Sequence, residues 1–288
     1  MSAKIIDGLA LAQSVKEGVQ RRVAELAAKP RRVALTAVLV GSTAAGELYA
    51  ARQAEACRAV GIDYVLRTAP ASASAADVKR LLQSLNNDPA VTGIMLHLPL
   101  PSHLDATELQ YTIDPVKDVE GVNPANIGYV VYGHTRIAPC TAQAVIELIE
   151  STGVTLRGME AVVVGASEIA GKPIALLLTE RMATTTTCHV ATRDLPLHTR
   201  RAEVLVVAVG KPGLIAAGDV REGAIVIDVG INRITLPDGS KKTIGDVDFE
   251  SVRAKAGFIT PVPGGVGPMT VAMLLKNTVR SAELSGGL

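Results

Sequence analysis

The stretch LYAARQ, Leu48 to Gln53, carries a phenol and an amide four residues apart, a spacing that puts both on one face of a helix. What that face looks at is open at this point, but an amide on it cannot take up or release a proton. HLPLP, His97 to Pro101, sets an imidazole at the end of an apolar run, where a histidine is more often a hydrogen-bonded structural residue than a catalyst. KDVEGVNPANIG, Lys117 to Gly128, offers Asp118 and Glu120 in a polar loop in which most charges are expected to be solvated.

VVVGASEIAGKPIALLL points to a different chemistry. Gly165 ends an apolar strand, Gly171 lies in the turn or first helical turn beyond it, and free amides at that helix N-terminus can hold a phosphate. Gly165, Ser167 and Gly171 read GxSxxxG rather than GxGxxG, so the dinucleotide fingerprint is met in part, and a tight turn in a non-binding sheet is the alternative. At the end of the next strand, where an NAD enzyme shows an acidic residue for the ribose hydroxyls, the chain reads CHVATRD. His189, Thr192 and Arg193 come before Asp194, which favours a 2′-phosphate and hence NADP, with NAD as the alternative. TPVPGGVGPMT, Thr260 to Thr270, packs three glycines and three prolines into one short loop. That density fixes a single backbone path and favours a loop that presents backbone to a ligand over a plain connection.

Around these residues, strand-length apolar runs alternate with stretches of helical period, the pattern of parallel sheets covered by helices, so the fold class is α/β. Strands are expected near Val33–Val40, Tyr64–Arg67 and Thr92–Leu96, and helices near Leu9–Ala28, Ala44–Val60 and Ala75–Asn87. PCTAQAVIELIESTGV predicts a helix capped by Thr141, running to about Ser151 and stopped by Gly153. AVVVG, TTTTCHV, EVLVVAVG, AIVIDVG and GFITPVPGG then read as five buried strands of one open sheet, several ending in glycine, and Met269–Leu284 reads as a terminal helix. At 288 residues two domains are expected.

Composition narrows the function. Lys and Arg total 29 against 28 Asp and Glu, and with no Trp and two Phe the chain lacks both the basic field and the stacking platforms of a nucleic-acid binder. Cys57, Cys140 and Cys188 are widely spaced without a CxxC, so neither disulfides nor a metal site are expected, and a cytoplasmic location fits. No apolar run approaches the ~20 residues of a membrane span.

Taken in order, KIIDG, VLVGS with the following tyrosine helix, LPLP, KDVxG, PCT, VVVGAS with GKP, VAVGKPG, VIDVGIN, GDV and PVPGGVGPMT resemble the bifunctional methylenetetrahydrofolate dehydrogenase/cyclohydrolases over essentially the whole chain. The resemblance implies a folate domain, a three-layer α/β unit of residues 1–140 with a C-terminal helix over 270–288. It implies a Rossmann-like NAD(P)-binding domain with a mainly parallel sheet over 141–269, a cleft between them, and a homodimer. It places Tyr49, Leu98, Pro99, Glu120, Pro261, Pro263, Gly264 and Gly265 against a folate-type substrate. For the cofactor it implies Thr141, Gly165, Ala166, Ser167, Ile169, His189, Val190, Arg193, Gly210 and Ile231. Val190 stands where NADP-using members often carry serine or arginine, so Arg193 or Lys172 would have to hold the phosphate.

Three polar positions depart from the family pattern. Gln53 stands where the family has lysine, His97 where it has glutamine, and Glu120 where it has the aspartate that anchors the pterin edge. Hydride removal from a carbon between two nitrogens demands geometry more than proton transfer, so a dehydrogenase is expected to survive. Hydrolysis of the methenyl cation needs proton exchange, which glutamine cannot supply, so cyclohydrolase activity is expected to be weakened or lost unless His97 replaces the lysine. The alternatives are a specialised paralogue for another pterin or one-carbon carrier, and a silent folate- or nucleotide-binding homologue.

Overall fold

In the computed structural model, residues 2–27, 32–41 and 43–286 are described. The chain begins with β1 (Lys4–Ile5), α1 (Gly8–Ala27), β2 (Ala34–Val40), α2 (Ala44–Ala59), β3 (Asp63–Ala69), α3 (Ala75–Asn87) and β4 (Gly93–Leu96). Two short helices, α4 (Ala106–Tyr111) and α5 (Pro124–Val131), precede α6 (Cys140–Glu150). The second half runs through β5 (Glu160–Val164), α7 (Gly171–Glu180), β6 (Thr184–Cys188), α8 (Leu195–Thr199), β7 (Val204–Val207) and β8 (Ile225–Asp228). It closes with β9 (Asn232–Thr235), β10 (Lys241–Ile244), α9 (Phe249–Arg253), β11 (Phe258–Ile259) and α10 (Val266–Ser285).

Two compact units divide these elements, and the chain passes from one to the other inside α1, α6 and α10. Residues 14–140 and 274–288 form one unit. Its sheet is three parallel strands in the order β3-β2-β4, paired along the whole of β2. Val38, Val40, Ile94 and Leu96 from the sheet pack with Val78 and Leu82 of α3 and Leu109 of α4 in one buried cluster. The amphipathic α3 starts on a capping box, in which the Asp77 amide donates to Ser74 Oγ and the Ser74 amide to the Asp77 carboxylate. Thr43 Oγ1 caps α2 by accepting from the Gly46 amide at 3.1 Å, which sets the rotation of the helix that carries Tyr49 and Gln53.

The other unit, residues 1–13 and 141–273, holds a six-stranded, wholly parallel sheet in the order β1-β11-β8-β7-β5-β6. β7 and β8 read VLVV and IVID and are buried at every position, as expected for strands covered on both faces. The five strands expected in the second half are all in this sheet, joined by β1, which pairs Lys4 with Phe258 and Ile5 with Ile259. Residues 1–13 therefore group with the second-half sheet rather than with the unit formed by residues 14–140. Thr141 does not cap α6, because the helix already begins at Cys140 and Thr141 lies in its first turn. α10 starts at Val266, three residues earlier than expected, so Gly267 and Pro268 belong to its first turn, where a missing N–H costs nothing.

Candidate active site

In the unit of residues 14–140 and 274–288, Tyr49, Gln53, His97 and Glu120 converge. The Tyr49 and His97 rings meet edge to face with centroids 5.4 Å apart. Gln53, one turn on from Tyr49, is buried, and its amide nitrogen donates to the Met95 sulfur of β4 at 2.8 Å. Gln53 Oε1, His97 Nε2 and the Tyr64 hydroxyl are buried with no protein partner among the described residues. Buried polar atoms are ordinarily hydrogen-bonded, so three orphans around one aromatic pair mark a surface shaped for a ligand. Leu98 and the cis-linked Pro99 follow His97 directly, Leu98 half exposed.

The loop between α4 and α5 supplies the acid groups. Asp118 is buried, not solvated as its setting in a polar loop suggested. Its carboxylate accepts from the amides of Gly121 (3.1 Å) and Asn123 (2.7 Å) and from Asn126 Nδ2 (3.1 Å), which folds residues 118–126 into one rigid turn. Lys117 is also buried and turned away from the site, its ammonium donating to the carbonyls of Leu85, Asn86 and Asp88 at the end of α3. Glu120 is enclosed enough that burial, aided by the charge of Asp118, pushes its carboxyl up to about 8, against a hydrogen bond with the Leu96 backbone. Burial also raises the Tyr49 hydroxyl, with Glu120 adding to it, and lowers His97. Asn277 of α10 ties the α4–α5 and α5–α6 loops together by donating to the carbonyls of Val119 and Ala138.

In the unit of residues 1–13 and 141–273, the residues that the resemblance assigns to the cofactor cluster mainly at the carboxyl ends of the strands. Gly165 has φ +119°, and a Cβ there would collide with the Ala208 carbonyl, while a Cβ on Gly171 would collide with the carbonyl of Gly165. Both glycines are thus explained by close backbone approach, Gly165 to the end of β7 and Gly171 within the turn. Ser167 closes that turn, its hydroxyl and carbonyl accepting from the amides of Gly171 and Lys172. Ala166 and the exposed Ile169 lie in the same turn, at the N-terminus of α7. After β6 the His189 amide donates to Thr192 Oγ1 at 2.8 Å, Val190 is fully exposed, and Arg193 is exposed and forms no ion pair among the described residues. Lys172 instead faces Glu168 at 3.8 Å.

Pro261, Pro263, Gly264 and Gly265 line a cavity of about 290 Å³ together with Leu9, Asp228 and Ile231. The glycine of KIIDG is explained here, since a Cβ on Gly8 would strike the carbonyls of Gly264 and Gly265. Two buried carboxylates that the motif reading did not single out hold the strand ends. Asp228 accepts from the amides of Gly230 (3.0 Å), Asp246 (3.0 Å) and Val247 (2.9 Å). Asp246 accepts from the amides of Val209 (2.7 Å) and Gly210 (2.8 Å) and from Asn232 Nδ2 (2.8 Å). A Cβ on Gly230 would hit the Asp246 carboxyl and one on Gly245 the Asp228 carboxyl, so the glycines of VIDVGIN and GDV exist to admit these side chains. The available signal was an aspartate inside an otherwise apolar strand, IVID, which must find partners when buried.

One unit with a parallel sheet and glycine-bounded strand ends, and a second carrying a polar aromatic pocket, define a two-domain α/β protein of the dinucleotide-linked class. The chain belongs to the tetrahydrofolate dehydrogenase/cyclohydrolase family: residues 6–120 match the model of its catalytic domain and residues 139–285 that of its NAD(P)-binding domain. The bifunctional protein FolD of Bordetella avium is 50% identical over 283 residues, covering 98% of each chain, and that of Moorella thermoacetica is 48% identical over 283 residues, covering 98% of this chain and 100% of its own. Among solved structures, the FolD methylenetetrahydrofolate dehydrogenase/cyclohydrolase of Campylobacter jejuni superposes with a TM-score of 0.93 at 40% identity, covering 98% of this chain and 99% of its own. The Trypanosoma brucei enzyme, complexed with NADP cofactor and inhibitor, gives 0.93 at 36% identity over the whole of both chains. No helix among the described residues is long and apolar enough to cross a membrane.

Proposed function

We propose that this protein oxidises 5,10-methylene-tetrahydrofolate to the 5,10-methenyl cation with NADP as hydride acceptor, and that its cyclohydrolase activity is weakened or lost. The observation that carries the second half is Gln53. On the face of α2 one turn beyond Tyr49, where the family pattern has lysine, the side chain is a buried amide held by the Met95 sulfur. Lacking an ionisable nitrogen, it leaves the attack of water without a proton carrier, a loss that typically costs about 10² to 10⁴ in rate. Hydride transfer needs only that the reacting carbon and the nicotinamide be aligned, and no group of Gln53 takes part in the electron movement.

For the cofactor, the Gly165–Gly171 turn and the N-terminus of α7 would hold the pyrophosphate, and Arg193 the 2′-phosphate. NADP bound to the Trypanosoma brucei relative supports this preference. Tyr49 would pack on the pterin and Glu120 meet its amino-pyrimidine edge. We further infer a homodimer working in the cytoplasm, where three buried free thiols stay reduced; sedimentation of the purified protein as a monomer would refute the dimer. The experiment for the activity follows NADPH and methenyl absorbance together on mixing enzyme, methylene-tetrahydrofolate and NADP. NADPH must form with the methenyl signal persisting, and no NADPH at saturating substrate refutes the proposal.

A further inference from the structure

Asp246, fully buried just past the end of β10, gathers segments that leave the sheet at different strands. Its Oδ2 sits in the concavity made by two consecutive amides beyond β7, accepting from Val209 at 2.7 Å and Gly210 at 2.8 Å. Gly210 has φ +78°, a left-handed conformation that turns successive amides toward one point. Asp246 Oδ1 accepts from Asn232 Nδ2 at 2.8 Å, which closes the base of the β9–β10 hairpin, where Asn232 pairs with Ile244. The backbone of the same segment holds the far end of the loop after β7, since the Ile215 amide donates to the Asp246 carbonyl and the Asp248 amide to the Ile215 carbonyl. Between these two anchors residues 209–213 are exposed. The exposed Ile231 lies between Asn232 and Gly230, whose missing Cβ leaves room for the Asp246 carboxyl. Two amides so arranged otherwise receive an anion such as a phosphate. Here the chain's own carboxylate fills that place, so Gly210 serves a cofactor through the path of its backbone and not by donating to a phosphate.

We propose that Asn232 and Asp246 are positioning residues of the nucleotide site: as donor and acceptor they fix the loop after β7 against Ile231 at the entry to the hairpin, and so set the backbone surface that the cofactor meets. The inference rests on the nucleotide reading of this unit. Its force lies in the polarity of the pair. Asp246 serves the two amides and Asn232 together only because both of its oxygens accept. A carboxylate at position 232 would face a second buried carboxylate with no proton between them, which pushes the hairpin base away from the loop. Exchanging the two side-chain types restores the bond in the opposite sense, because an amide at position 246 keeps one oxygen for the Val209 and Gly210 amides and turns its nitrogen toward position 232.

The test is the dissociation constant of NADPH, read by its own fluorescence, together with hydrogen exchange of the Val209 and Gly210 amides, in the unmodified protein, in Asn232→Asp and in the double variant Asn232→Asp with Asp246→Asn. Asn232→Asp should weaken NADPH binding about tenfold or more and speed exchange at both amides. Adding Asp246→Asn should bring the affinity back to within about threefold of the unmodified protein and slow the exchange again, a recovery that two independent structural lesions do not give. Unaltered affinity in Asn232→Asp, or losses that add in the double variant, overturns the proposal. Should Asn232→Asp fail to fold, the double variant decides alone: it must fold and bind, and its failure overturns the proposal. An unmodified protein that binds no NADPH overturns the nucleotide reading itself, and the proposal with it.

Discussion

Asp228→Asn isolates what the buried carboxylate between β8 and the β9–β10 hairpin does. Burial is the main cause that lifts Asp228 from 3.8 to about 6, with Asp246 adding to it, against the pull of the amides of Asp246, Val247 and Gly230. A folded-state value above the unfolded one means the group stabilises the fold in acid, fully below about 3.8, and loses that contribution as pH rises through about 6. Between pH 8 and pH 5 the native carboxyl takes up about 0.9 of a proton while the unfolded one takes up almost none, worth about 1.4 kcal/mol. Asparagine cannot titrate. At pH 8 it also turns a donor toward one of the three amides, a loss of about 1 to 3 kcal/mol offset in part by removing a buried charge. The advantage of the unmodified protein over Asp228→Asn should therefore grow by about 1.4 kcal/mol from pH 8 to pH 5. Hydrogen exchange of the β7 and β8 amides, corrected for intrinsic rates, reads this difference strand by strand. Parallel profiles would refute the reasoning, and an advantage that shrinks in acid would show that the three amides outweigh burial.

Gly165→Ala forces a φ of +119° on alanine and drives its methyl into the Ala208 carbonyl, so a loss of about 2 to 6 kcal/mol and of NADP binding is expected by calorimetry. Lys117→Met removes the cation from the end of α3 and should cost about 2 to 4 kcal/mol in thermal unfolding while leaving KM for the folate unchanged; a raised KM with normal stability would put Lys117 in the site instead. Arg193→Ala should raise KM for NADP roughly tenfold and leave that for NAD nearly unaltered, whereas equal effects on both would remove Arg193 from the 2′-phosphate.

Much of this was legible in the residues. Tyr49 and Gln53 do share a face of α2, because a four-residue spacing on a helix leaves little choice, and the five apolar runs of the second half do form one parallel sheet. The glycines of GxSxxxG and KIIDG, and the second glycine of PGG, mark places where backbone meets backbone. What stayed hidden depends on contacts distant in sequence. β1 is two residues long and exists only by pairing with β11. The β9–β10 hairpin buries no residue fully, so its strands carry no apolar run. Lys117, Asp118 and Asp246 look like solvated charges until the amides and carbonyls they serve, up to 37 residues away, are in place.

The central claim is that this site passes a hydride and has lost its proton carrier. Following NADPH and methenyl absorbance together in the unmodified protein and in Gln53→Lys tests it most directly. The account predicts NADPH formation in both, methenyl decay no faster than the spontaneous rate in the unmodified protein, and decay accelerated by about 10² or more in Gln53→Lys. Rapid enzymatic decay of the methenyl signal with Gln53 in place would contradict it.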